Sequence, residues 1–169
     1  DPGSGQPRSF IGRHPDGPVA GLAIASDERF LVSVSRGSVQ VTDTSSGALM
    51  GQLDIAAESP RLAVAPGGED VIVAGDRGGV TRWNWRNGEV AQLADASLGI
   101  EHLALSPAGE LLVTAGTDRR IRVWDLRTGR IVDSGARAAA PVDGVWFADD
   151  ADVLVRAKAW LHVFGSTSD

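Results

Sequence analysis

The 169-residue sequence predicts an all-β fold assembled from four similar units. Three observations carry this. Thr42, Trp83 and Trp124 stand 41 residues apart; Gly47, Gly88 and Gly129 keep the same spacing; Ala65-Pro66 and Ser106-Pro107 keep it again. Between these landmarks run short segments rich in Val, Ile, Leu and Trp, broken by Gly, Pro, Asp and Asn, the pattern of strands and tight turns. A period of ~40–45 residues made of short strands implies the blades of a propeller.

The third unit is the clearest. Ile100 to Leu105 reads as a strand, Ser106-Pro107-Ala108-Gly109 as a turn, Leu111 to Ala115 as the second strand and Gly116-Thr117-Asp118-Arg119 as the next turn. Ile121 to Trp124 and Arg130 to Val132 supply the third and fourth strands, joined by Leu126-Arg127-Thr128-Gly129. The first unit matches with Val19 to Ile24, Phe30 to Val34, Val39 to Val41 and Ala48 to Leu53. The second matches with Arg61 to Val64, Val71 to Ala74, Val80 to Trp85 and Glu89 to Leu93. The fourth has three strands only: Val142 to Phe147, Val153 to Ala157 and Leu161 to Phe164. Boundaries between units fall near Ile55, Ala96 and Ala138, giving repeats at 13–54, 55–95, 96–137 and 138–165 behind a flexible segment at 1–7.

Leu105-Ser106-Pro107-Ala108-Gly109, Leu112 to Asp118 and Ile121-Arg122-Val123-Trp124-Asp125 together resemble a WD repeat of the β-propeller family. The Trp-Asp pair becomes Trp83-Asn84 in the second repeat, Thr42-Asp43 in the first and Phe164-Gly165 in the fourth. The resemblance implies that residues 8–12 are an outer strand able to complete the fourth blade. It leaves several arrangements open: a closed four-bladed ring, half of an eight-bladed ring formed by a dimer, an open arc, or part of a larger ring. It further implies that Thr114, Asp118 and Trp124 belong to a buried hydrogen-bond network, that Trp83 is a matching anchor, and that His14 is a structural histidine ahead of the first blade.

Composition narrows the function. The net charge is −6 and opposes binding to a phosphate backbone. No run of ~18 apolar residues suggests a membrane span. Cysteine is absent, which excludes disulfides and thiolate catalysis and fits a cytoplasmic setting. The start at Asp1 without a Met reads as a segment of a longer polypeptide. His14, His102 and His162 fall in separate units without metal-ligand spacing, so neither metal nor cofactor is expected. Asp149-Asp150-Ala151-Asp152 reads as an acidic turn, and Gly75-Asp76-Arg77-Gly78-Gly79 is followed by a strand, not by the helix a phosphate loop needs. No Ser-His-Asp set is evident. The expectation is a non-enzymatic protein-interaction scaffold or regulatory module attached to a larger effector, the alternative being a small-ligand or sensor propeller.

In a WD propeller, turns between second and third strands share a rim with the connections entering each blade. That rim would display Arg36, Arg77, Arg119, Arg120, Lys158 and Trp160, which suits an acidic protein surface. Self-association, or contact with further blades of a parent chain, is also expected. Two departures stand out. Trp146 replaces the small inner-strand residues Ala23, Ala63 and Ala104, either plugging the channel or filling a gap between blades. Arg156 is aligned with Ser33 and Thr114, where burial would demand a partner such as Asp143, Asp150 or a neighbouring chain.

Overall fold

The computed structural model describes residues 14, 16–76, 79–93, 99–133, 137–158 and 160–164. The flexible segment and outer strand expected at 1–12 lie outside these, as does Arg77. Among the described residues all fifteen elements are strands. The first blade is β1 (Gly21–Ile24), β2 (Phe30–Val34), β3 (Ser38–Asp43) and β4 (Leu49–Asp54). The second is β5 (Arg61–Val64), β6 (Asp70–Ala74), β7 (Val80–Asn84) and β8 (Val90–Leu93). The third is β9 (Ile100–Leu105), β10 (Leu111–Gly116), β11 (Ile121–Asp125) and β12 (Arg130–Asp133). The fourth contributes β13 (Gly144–Phe147), β14 (Val153–Ala157) and β15 (Trp160–Phe164). Each sheet is an antiparallel meander in chain order. The architecture is a β-propeller arrangement of blades, with the fourth blade showing three strands among the described residues.

The repeated landmarks are the turns that shape each meander. After β3, β7 and β11 the chain must reverse, and Gly47, Gly88 and Gly129 do so at φ 73°, 79° and 68°, a left-handed conformation that costs glycine least. The residue closing each of those strands caps the turn. Asp43 Oδ1 accepts the Ser45 and Ser46 amides at 3.0 Å each, Asn84 Oδ1 accepts the Arg86 amide at 3.1 Å, and Asp125 Oδ1 accepts the Thr128 amide at 2.8 Å. The second half of the Trp-Asp signature is thus a turn cap. In the turn between first and second strands, Gly68 and Gly109 take φ 74° and 75°, whereas the first blade places Glu28 there at φ 57°.

Alternation along the strands gives every sheet two apolar faces, and the sheets pack face to face in chain order through β1 on β5, β5 on β9 and β9 on β13. We call the face toward the next blade leading and the other trailing. Between the first two blades, leading Phe30, Val32, Val34, Val39 and Val41 meet trailing Val71, Val73, Trp83 and Trp85. Between the second and third, leading Ile72, Ala74 and Val80 meet trailing Leu112 and Trp124. Between the third and fourth, leading Val113, Ala115 and Ile121 meet trailing Val145, Val153 and Val155. Polar ties reinforce the stack: Arg61 Nε donates to the Glu101 carbonyl at 2.7 Å, His102 Nε2 bonds the Val142 carbonyl at 3.0 Å, and the Ala108 amide donates to Asp150 Oδ1 at 2.7 Å.

The fourth blade corrects one alignment. Its first hairpin is a residue shorter: Phe147 pairs Val153, where Leu105 pairs Leu112. Val155 therefore occupies the Thr114 position, opposite Val145 as Thr114 is opposite Leu103, and Arg156 takes the place of Ala115 on the leading face. Arg156 is exposed. Its Nη2 donates to the Asp143 carbonyl at 3.4 Å and its guanidinium lies 5.7 Å from the Trp146 ring centroid. It is not a buried charge awaiting a partner. Trp146 stands where Ala104 stands in the third blade, and its ring folds back over Gly144.

Candidate protein-binding rim

The turns between second and third strands and the connections between blades are hydrogen-bonded to one another and so share one rim. Ala57 donates to the Arg36 carbonyl at 3.2 Å, Ile100 to the Gly75 carbonyl at 3.1 Å, Thr117 to the Gly99 carbonyl at 2.9 Å and Ala138 to the Arg119 carbonyl at 2.9 Å. Asp76 Oδ1 accepts the Glu58 amide at 2.9 Å, and Asp143 Oδ2 accepts the Lys158 amide at 2.6 Å. Arg119 and Lys158 hold positive φ, 63° and 55°, at their turn tips, so their side chains are borne on backbone tied at both flanks.

The rim's charge is less basic than its arginines suggest. Arg36 Nε lies 3.4 Å from Glu58, and Arg120 Nε lies 3.9 Å from Asp118. Arg119 Nη1 donates to the Ala139 carbonyl at 3.3 Å. Among the described residues no ion pair is formed by Arg119 or Lys158. Trp160, two residues after Lys158, is 67% exposed, in contrast with Trp83 and Trp124 in the interior.

The residues expected to be structural separate into two groups. Trp124 is fully buried, and its Nε1 donates to Thr114 Oγ1 at 2.9 Å. Trp83 is buried against the first blade. Asp118 does not join the Trp124 bond: it takes Arg122 Nη2 at 2.6 Å and the Arg120 amide at 3.0 Å. The Arg122 hydrogen bond holds its carboxyl below the ordinary range. Without a histidine ahead of β9, the cation for this carboxylate comes from β11 instead. In the first blade the histidine is present: buried His14 bonds Ser33 Oγ at 2.7 Å and reaches Ser38 Oγ at 3.3 Å. Burial lowers its pKa below 6.5, against a raising influence of Asp16.

Trp85 is an anchor that the repeat register does not reveal, because it follows the Trp-Asn pair and has no aromatic counterpart at Leu126. It donates from Nε1 to the Gly68 carbonyl at 2.8 Å, and its ring tilts against Phe30 at 4.8 Å, capped by Arg86 at 4.5 Å.

Two clefts open between blades. One of about 320 Å³ lies between the first and second blades, lined by Leu53, Ile55, Ala57, Val73, Thr81 and Val90. The other, about 310 Å³, lies on the opposite rim between the second and third blades, lined by Asp70, Arg82, Glu110, Asp125 and Arg127. There Arg82 Nη2 bonds Asp70 Oδ2 at 2.7 Å, leaving the buried Asp70 Oδ1 without a partner among the described residues. Among the described residues no group of three or more His, Asp or Glu could hold a metal ion.

Four-stranded antiparallel blades packed face to face define the chain as propeller-type. Residues 89–125 match the family model of the WD domain, G-beta repeat, so the chain carries a WD repeat. The match begins at the outer strand of the second blade and ends at Asp125 of the third, a unit staggered by one strand from the blade. Such repeats generally serve protein-protein interaction. A comparison with curated proteins gives no match. Among solved structures, the crystal structure of the computationally designed Ika4 protein superposes with a TM-score of 0.82 at 24% identity, over 95% of this chain and 98% of that one. This likeness concerns the fold alone.

Proposed function

We propose that the chain is a protein-interaction module, a scaffold or regulatory part of a larger effector protein working in the cytoplasm, with no catalysis of its own. The observation that supports this most is the rim segment at Lys158 and Trp160. A 67% exposed indole lies two residues along the chain from a cation without an ion pair among the described residues, and aromatic and cationic side chains of this kind are frequent interface anchors. Arg119, held on its neighbouring turn, extends the same chemistry, and an acidic protein surface is the complementary partner. Arg36 and Arg120 contribute less, being paired already with Glu58 and Asp118.

The test is affinity capture on the immobilised chain, compared with the Arg119→Glu, Lys158→Glu, Trp160→Ala triple variant. Capture of a defined protein by the parent and its loss in the folded triple variant would support the rim. Equal capture by both would exclude it. The second reading, a small-ligand propeller, rests on the cleft where Asp70 Oδ1 is unpartnered. A polar ligand bound there would be lost on Asp70→Ala, with rim capture untouched.

A further inference from the structure

The three internal blade interfaces follow one rule, and the two ends of the stack hold the two unused halves of it. On the leading faces, Val32, Ile72 and Val113 are fully buried, and so are Val39 and Val80, with Ile121 at the same position almost as deep. The equivalent fourth-blade residues are Leu154 and Leu161, and Leu161 is 65% exposed, with Val163 beside it at 62% and Trp146 at 45%. On the trailing faces, Leu62, Leu103 and Val145 are covered by the preceding blade. The equivalent first-blade residue, Leu22, is 64% exposed, and Ile24 is 62% exposed.

The ends also differ from the interior in a reciprocal way. The first two interfaces draw their indole from the trailing side, Trp83 and Trp124. The first blade has Thr42 at that position, while the fourth blade alone has a Trp on its leading inner strand. Between these two ends the indole would come from the other partner.

We propose that two copies of this chain join head to tail, the leading face of each fourth blade covering the trailing face of the other copy's first blade. Trp146, Leu161 and Val163 of one copy pack on Leu22 and Ile24 of the second. The contact continues the interface already formed three times within the chain. Because its two halves differ, it is heterologous and closes only as a ring; two copies give eight blades. Both faces are rich in apolar area, which drives association. None of these residues belongs to the rim segment at Arg119, Lys158 and Trp160, so this proposal and the rim reading fail independently.

The experiment is light scattering on the intact chain and on two variants, Leu22→Asp and Trp146→Asp, alone and mixed. Both side chains are exposed, so both variants should fold; far-ultraviolet spectra and unfolding midpoints check this, and Leu161→Asp replaces Trp146→Asp if the latter unfolds. The intact chain should have twice the 17.6 kDa chain mass. Each variant alone should associate more weakly by roughly tenfold or more. An equimolar mixture should regain a two-copy species, because the fourth blade of Leu22→Asp and the first blade of Trp146→Asp are both intact. Three results would overturn the proposal: a 17.6 kDa species for the intact chain across micromolar concentrations, a variant that pairs with itself undiminished, which means a like-to-like contact, or a mass above two copies.

Discussion

At the scale of single residues, burial and partners set the expected effects. Trp124 is fully buried and donates to Thr114. Trp124→Ala should destabilise by ~3–5 kcal/mol, as emptying a large aromatic site does; a loss below ~1 kcal/mol in denaturant titration would contradict this packing. Glu28 holds φ 57°, where the second and third blades have glycine. A left-handed non-glycine residue costs ~1–2 kcal/mol and glycine returns ~0.5–1 of it as chain entropy, so Glu28→Gly should be neutral or stabilising by up to ~1.5 kcal/mol. The converse Gly109→Ala should destabilise by more, because its Cβ would also meet Pro66 Cδ at 2.6 Å. His14 gives a pH signature. Its folded pKa lies below 6.5, chiefly through burial, so the unfolded chain binds the proton more readily and stability falls as pH drops below 6.5 toward the folded value. Urea midpoints of the parent should fall between pH 7 and pH 5.5 by more than those of His14→Gln; identical pH dependence would remove His14 from the account.

At the scale of elements, the turns were the legible part of the sequence. The Asp43, Asn84 and Asp125 caps and the glycines at 47, 88 and 129 recur at one spacing because each solves the same local reversal. Asp125→Ala should cost ~1 kcal/mol, measured by thermal unfolding, as loss of a capping side chain does. Strand positions followed from the apolar runs between those turns. What was not legible was register in the fourth blade. Its first hairpin drops a residue and is capped by Asp149, which accepts the Ala151 amide at 2.8 Å, so counting from the neighbouring repeats misplaces Arg156 by one position and onto the wrong face. Trp85 escaped for a related reason: it stands one residue past the repeating pair. The rim could be located from the turns, but its pairing could not be read in full, since Glu58 reaches Arg36 through a contact that only the folded connection creates, while Asp118 and Arg120 meet within one turn.

At the scale of the whole molecule, the blades stack in chain order and leave the outward faces of the first and fourth exposed. With a net charge of −6 and its rim arginines partly paired, the chain should show no binding to random duplex DNA at micromolar concentration and ~150 mM salt; salt-sensitive binding there would contradict the proposed preference for acidic protein surfaces. The most direct test of the open stack is the distance between its ends within one chain. Cysteine is absent, so spin labels placed by Leu22→Cys and Leu161→Cys report only those sites, and dilution into unlabelled protein confines the signal to single chains. Pulsed electron paramagnetic resonance should give a separation well beyond the ~10 Å at which packed sheets face each other; a separation near that spacing would mean that the fourth blade closes on the first of its own chain, and would contradict the open stack.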